Sequence, residues 1–245
     1  MPAPILQLAL DFANLSQALR AAEEAVAGGP IWLEAGTPLI KSEGLNAVRA
    51  LRDKFPNHTI VADMKTMDAG REEVEMAAKA GANVVAVLGA ASDATIEQAV
   101  EAGRHYDARI MIDTAELADP VARAVRAAEL GAAIINVHCP IDVQMRGGDP
   151  FATLAAVREA VNIQVAVAGS KIPTFCVPFP FQSPTTTLYL GLWLAAPQEM
   201  KTSGGAQSQA KFPLASSRNI ACAELKIPIF EGVGPPPVTV QVPVS

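Results

Sequence analysis

The stretch Ile60-Val61-Ala62-Asp63-Met64-Lys65-Thr66-Met67-Asp68, IVADMKTMD, changes character partway along. Its first three residues are apolar and suit a buried strand. The next six place two carboxylates around a lysine. A solvated turn is the plainest account of such a change, and a functional site is the other. What recurs along the rest of the chain decides between them.

Short apolar runs of the same kind lie at Ile5–Leu10, Ile31–Leu33, Thr59–Ala62, Val84–Leu88, Arg109–Ile112, Ala133–Val137 and Gln164–Ala168. They stand roughly 20 to 30 residues apart, the length of one strand–helix unit. Between them lie stretches rich in Ala, Glu and Arg, such as SQALRAAEEAVAGG and SDATIEQAVEAGRHY, with apolar residues at three- and four-residue spacing. Gly81, Gly103 and Gly131 are read as helix ends before a strand, and Asp93 and Asp119 as first-turn acids that suit the helix dipole. Seven strands alternating with six helices imply a parallel sheet with right-handed crossovers. No G-x-G-x-x-G follows the first strand, which argues against an open dinucleotide-binding sheet. Polar residues gather instead at the strand ends, Asp11, Glu34, Asp63, Asp113 and His138, where barrel active sites form.

The alternation stops near residue 170. Residues 171–245 hold 11 of the 19 prolines and 8 of the 44 charged residues. Pro173, Pro178, Pro180 and Pro184 break helix and central strand alike. Thr185–Ala195 and Val238–Val244 can form strands, but nothing there reads as the helix–strand–helix that would complete a barrel. The fold class is therefore α/β, a (β/α)8 TIM-type barrel that is incomplete or irregular after strand seven. Residues 1–170 form the barrel portion, and 171–245 a Pro-rich, irregular and partly disordered tail.

The bulk numbers narrow the function. The chain has 245 residues, half of them hydrophobic, and a formal charge of −6, which offers no electrostatic footing for nucleic acid. Cys139, Cys176 and Cys222 are far apart, without zinc-ligand spacing, and their sparse, odd number suits a reducing cytoplasm. MPAPILQLALDF lacks the basic start of a signal peptide, and no apolar run is long enough to span a membrane.

On a barrel, Asp11, Glu34, Asp63, Lys65 and His138 face one mouth. Three carboxylates there repel one another unless cations share the space. Lys65 supplies one positive charge, and a hard divalent ion such as Mg2+ is the natural second. Each residue also has a structural account. Asp11 can cap a helix, Asp63 and Lys65 can form an ion pair, Asp68 can be an N-cap, and a lone histidine often sits satisfied at a strand end. Their recurrence at the same end of several strands favours a site.

ALD (9–11), LEAGTPLIKSEG (33–44), ADMKTMD (62–68) and NVHCPIDVQMRGGDP (136–150) resemble the 3-hexulose-6-phosphate synthases, a group of (β/α)8 barrels in the orotidine 5′-phosphate decarboxylase superfamily. The resemblance covers roughly residues 5–170. Orotidine decarboxylases carry a lysine where Glu34 stands. Keto-gulonate-phosphate decarboxylases share the glutamate but have an arginine where this chain has Ile141. The implied activity is an aldol condensation of formaldehyde with D-ribulose 5-phosphate through an enediolate, giving D-arabino-hex-3-ulose 6-phosphate. The resemblance further implies that Glu34 and Asp63 hold Mg2+ and that Lys65 adds positive charge. His138 becomes the proton shuttle, and Asp11 binds substrate hydroxyls and orients Lys65. Asp68 reaches the neighbouring subunit's site, which implies a homodimer.

The phosphate site is where the resemblance thins. The family grips phosphate with Gly-rich turns after strands seven and eight. Here Gly169 and Ser170 are the phosphate-binding candidates after strand seven, and the second turn has no clear counterpart. The alternatives are a catalytically impaired relic, a sugar-phosphate-binding fragment, or a related keto-sugar-phosphate decarboxylase.

Overall fold

The computed structural model describes residues 5–169, 188–195, 222–226 and 239–243, the last three segments as backbone strands. The first seven strands are β1 (Ile5–Asp11), β2 (Trp32–Ala35), β3 (Ile60–Thr66), β4 (Val84–Leu88), β5 (Arg109–Asp113), β6 (Ile134–His138) and β7 (Gln164–Ala168). All are parallel and pair in chain order. Their six connections carry α1 (Leu15–Val26), α2 (Thr37–Glu43) with α3 (Asn46–Lys54), α4 (Gly70–Lys79), α5 (Asp93–His105), α6 (Pro120–Glu129), and α7 (Ile141–Gln144) with α8 (Phe151–Ala160). Two connections thus hold a pair of helices where the sequence suggested one.

Strand β8 (Leu188–Ala195) pairs with β7 on one side and β1 on the other, which closes the ring. This corrects the view that nothing beyond residue 170 supplies an eighth strand. LYLGLWLA is apolar at nearly every position, as befits a barrel strand covered on both faces. The irregularity after strand seven stands, because among the described residues no helix follows β7. β9 (Cys222–Lys226) and β10 (Thr239–Pro243) pair antiparallel as a separate ribbon. The expected disorder of the tail falls on residues outside those described. Among the described residues no helix is long and apolar enough to cross a membrane.

Local chemistry sets the helix ends. Asn14, Ser92 and Asp119 cap α1, α5 and α6 by accepting from the backbone N–H three residues on. Gly81 and Gly131 follow helices with positive φ, as expected. Gly103 instead lies inside α5, where a Cβ would crowd Ala108 O and the Ile110 side chain. That glycine serves close helix–strand packing rather than chain reversal.

Strand alternation sorts side chains into two cores. Val61, Val84, Ala86, Met111, Ile134 and Ala166 fill the barrel interior, with Ile5, Trp32 and Ala133 beside them. Leu33, Ile60, Val85, Ile110, Ile112, Ile135 and Val167 face outward to the Ala-rich helices. The interior parity carries Asp63, Asp113 and His138 inward at the C-terminal ends of β3, β5 and β6. At the opposite mouth Arg109 stacks 4.7 Å from the Trp32 ring centroid and donates to Gln164 Oε1 at 3.1 Å.

Candidate active site

The opening stretch departs from regular strand geometry where its polar residues begin. Ala62 pairs with Val85 and Thr66 with Val87, so four steps on β3 oppose two on β4. The resulting bulge lifts Asp63-Met64-Lys65 out of the ladder and into the mouth. Lys65 takes φ 48° there, an uncommon conformation for a residue with a Cβ. Such a backbone costs roughly 1–3 kcal/mol and persists only where surrounding contacts hold it.

Those contacts are ionic. Lys65 Nζ donates to Asp63 Oδ2 at 2.9 Å, Asp63 Oδ1 at 3.1 Å and Asp113 Oδ2 at 3.0 Å. Burial alone would lower the lysine's pKa, but Asp63 and Asp113 outweigh it and hold the ammonium above its ordinary range. Asp113 is 1% exposed and also meets His138 Nδ1 at 2.8 Å, while its Oδ1 accepts from Ala115 N at 2.8 Å. Burial would raise this carboxyl, yet the His138 contact, Lys65 and the Ala115 amide hold it down at about 2. With Nδ1 facing Asp113, Nε2 is the ring nitrogen left to act on a ligand. The His138 amide is pinned to Thr114 Oγ1 at 3.2 Å.

Across the mouth the balance is reversed. Burial, then Asp63, then Asp11 push the Glu34 carboxyl up to about 8, offset only in part by a hydrogen bond from Gln7 Nε2 and by Lys65. Gln7 Oε1 is buried without a partner among the described residues. Asp11 lies against the backbone of Gly36, where any Cβ would collide with its Oδ1. Asp11, Glu34 and Asp63 therefore form an electrostatically coupled acidic group with more negative charge than Lys65 balances. Among the described residues no three His, Cys, Asp or Glu side chains converge as a closed metal cage.

Two predicted residues sit apart from this network. Asp68 is exposed, and its Oδ1 accepts from the neighbouring Ala69 N at 2.8 Å. It is not the N-cap of α4, a position taken by Ala69 without a side-chain bond. Gly169 ends β7 at φ 90°, packed so tightly on Cys139 O that a Cβ would overlap it. Cys139 N donates to Ala168 O at 3.1 Å, and Gln144 Nε2 to Cys139 O at 2.8 Å, which ties the ends of β6 and β7 together. Ser170 lies outside the described residues.

Sequence reading named Asp113 as a strand-end acid but gave it no role. The structure makes it the hub joining Lys65 to His138. Its signal was the sequence IMID, which ends in a carboxylate just as IVAD does. Thr37, whose hydroxyl reaches Asp63, and Gln7, beneath Glu34, were not singled out. A threonine after a glycine and a glutamine inside an apolar strand carry no motif of their own.

Residues 4–161 match the model of the orotidine 5′-phosphate decarboxylase / HUMPS family. The chain belongs to that family. A family relative, the 3-hexulose-6-phosphate synthase of Methylomonas aminofaciens, is 41% identical over 170 residues, 69% of this chain and 81% of its own length. The crystal structure of 3-hexulose-6-phosphate synthase from Salmonella typhimurium superposes with TM-score 0.68 at 30% identity, covering 76% of this chain and 88% of that one. A 3-keto-L-gulonate-6-phosphate decarboxylase from Vibrio cholerae superposes with TM-score 0.65 at 27% identity, covering 78% of this chain and 89% of that one. The chain is thus homologous both to hexulose-phosphate synthases and to decarboxylases built on the same TIM-like barrel.

Proposed function

We propose that the chain is a carbon–carbon lyase that condenses formaldehyde with D-ribulose 5-phosphate to D-arabino-hex-3-ulose 6-phosphate, with Mg2+. The observation that carries this reading is the Lys65–Asp113–His138 chain facing the acidic group of Asp11, Glu34 and Asp63. It combines a fixed cation, an oriented imidazole and a surplus of carboxylate in one mouth. The similarity at about 41% identity to a hexulose-phosphate synthase selects this aldol chemistry from the activities of the family.

The donor set fits a hard divalent ion. The Glu34 carboxyl, pushed up to about 8 beside two other acids, marks a place where positive charge is missing. Mg2+ takes one or two carboxylates and keeps its remaining oxygen ligands from water and substrate, so a closed protein cage is not required. Glu34 and Asp63 would hold the ion, which supplies positive charge to the oxygens of the developing enediolate.

The residues divide the remaining work. His138 Nε2 takes a proton from C1 of the ribulose phosphate as the C1–H electron pair moves toward the C2 carbonyl. Asp113 holds the ring through Nδ1 and stabilises the imidazolium that forms. Lys65 keeps its charge beside the substrate oxygens, where the enediolate bears negative charge. C1 then bonds to the carbon of formaldehyde, whose oxygen takes up the proton from His138. Asp11 binds substrate hydroxyls. The Gly169 amide and Ser170 receive the phosphate, and Asp68 reaches the site of a second subunit in a homodimer.

The test is formaldehyde consumption by the purified chain with ribulose 5-phosphate, with Mg2+ and then with EDTA. Turnover that EDTA and Asp63→Ala both abolish is the expected result. Folded protein that consumes no formaldehyde would overturn the assignment, and release of CO2 from a 3-keto-sugar acid phosphate would replace it with decarboxylation.

A further inference from the structure

Helix α2 lies between the two elements that carry the acidic group. At its start the Thr37 hydroxyl stands 2.6 Å from Asp63 Oδ2 and 3.0 Å from Asp63 O. A hydroxyl has one proton to give, and the shorter contact to a charged acceptor takes it. Lys65 Nζ reaches both oxygens of the same carboxylate, at 2.9 and 3.1 Å. The lysine alone therefore does not choose between them. A carboxylate turns about a soft, two-fold terminal torsion, so some other contact must set its orientation. Thr37 is the group that breaks the symmetry, because it contacts Oδ2 alone. Oδ2 then has two donors and Oδ1 has one, which leaves Oδ1 the oxygen with spare coordination.

Helix α2 is itself held at both ends. Ser42 Oγ donates to Ala13 O at 2.6 Å, and Glu43 Oε1 accepts from Leu15 N at 3.1 Å, so the end of α2 clasps the loop that follows Asp11. Gly36, immediately before Thr37, supports the Asp11 carboxylate by close approach. One short segment thus touches the surroundings of two of the three carboxylates, and Thr37 is where it acts on Asp63 directly.

We propose that Thr37 is a positioning residue whose hydroxyl fixes the rotation of the Asp63 carboxylate and presents Oδ1 to a divalent ion. The inference rests on the reading of Asp63 as an ion ligand. Its test uses Mn2+ as the probe ion, with affinity measured by electron paramagnetic resonance on the full chain without substrate. Thr37→Val removes the donor and keeps the branched shape, Thr37→Ser keeps the donor, and Asp63→Ala defines the site. Thr37→Val is expected to weaken Mn2+ binding about tenfold, the ordinary effect of losing a partner behind a ligand. Thr37→Ser should stay within about twofold of the parent, and kcat/KM should follow the same order. Unchanged Mn2+ affinity in Thr37→Val would overturn the inference, as would a Thr37→Ser variant as weak as Thr37→Val. A parent chain with no Mn2+ site sensitive to Asp63→Ala would overturn it together with the metal reading. A parent that binds Mn2+ through Asp63 but consumes no formaldehyde would sink the aldol assignment alone, and the Val–Ser comparison of affinities would still decide the role of Thr37.

Discussion

At the N-terminal mouth of the barrel, Arg52 on α3 donates to Gly81 O at 3.0 Å, Pro56 O at 2.9 Å and His58 O at 3.0 Å, and to the Asn83 side chain. Asn83 Oδ1 in turn accepts from Ile60 N at 3.0 Å. Arg109 rests on Trp32 and bonds Gln164. Each of these cations is spent on carbonyls, amides and a ring, and no carboxylate crowds it. At the C-terminal mouth, Asp11, Glu34, Asp63 and Asp113 face Lys65 and His138, and one acid is left near pH 8. Charge that is locally satisfied makes a staple. Charge that is left unbalanced makes a place for a ligand. Carboxylates are costly to bury together, so their accumulation at one mouth needs a purpose that packing does not supply.

The contrast can be broken by mutation. The largest effect is expected from Asp63→Ala, which should lower kcat/KM by about a thousandfold or more through loss of an electrostatic anchor. Its thermal midpoint should change little, since removing one of several repelling acids costs the fold nothing. A loss of activity accompanied by unfolding would mean that the top mouth is a structural ion network after all.

Asp113→Asn keeps the shape but removes the charge that holds both Lys65 and His138. A fall in kcat of about a hundredfold, with a smaller change in KM, is expected from kinetics with ribulose 5-phosphate. An equal loss confined to KM would assign Asp113 to substrate binding rather than to orientation of the imidazole.

The bottom mouth should respond in the opposite sense. Arg52→Met removes the donors that serve several carbonyls and should cost about 2–3 kcal/mol, read by urea unfolding. Turnover of the remaining folded protein should be unchanged. Reduced kcat with intact stability would show that the two mouths are coupled through the strands.

The smallest expected effect is in the pH dependence of metal-free stability. Glu34 binds its proton more tightly folded, near pH 8, than unfolded, near 4.5. Its contribution is therefore full below about 4.5 and is lost as the pH rises through about 8. Solvent screening of this half-exposed side chain keeps the change to roughly 2 kcal/mol. Glu34→Gln should flatten that slope and raise the metal-free midpoint at pH 8 while abolishing turnover. A slope unchanged by Glu34→Gln would place the unbalanced charge elsewhere.

Much of the barrel was legible because its strands announce themselves twice, by apolar runs and by regular spacing. Val84–Leu88 and Gln164–Ala168 were read to the residue, since each is bounded by polar turns. β3 was read four residues short, because a bulge allows Asp63 and Lys65 to remain in the strand while leaving the ladder. β8 was read as a strand without a place, because pairing with β7 and β1 is a long-range fact that no local pattern records.

The sequence by itself determined the alternation of strand and helix, the polar residues at the strand ends and the excess of acid among them. Those properties are local, and periodicity and composition carry them. Only the tertiary structure decided that Asp113 joins Lys65 to His138 and that Thr37 touches one oxygen of Asp63. The first contact spans 48 residues and the second 26. Separations of that size are set by barrel closure and strand register, and they have no signature in the neighbouring sequence.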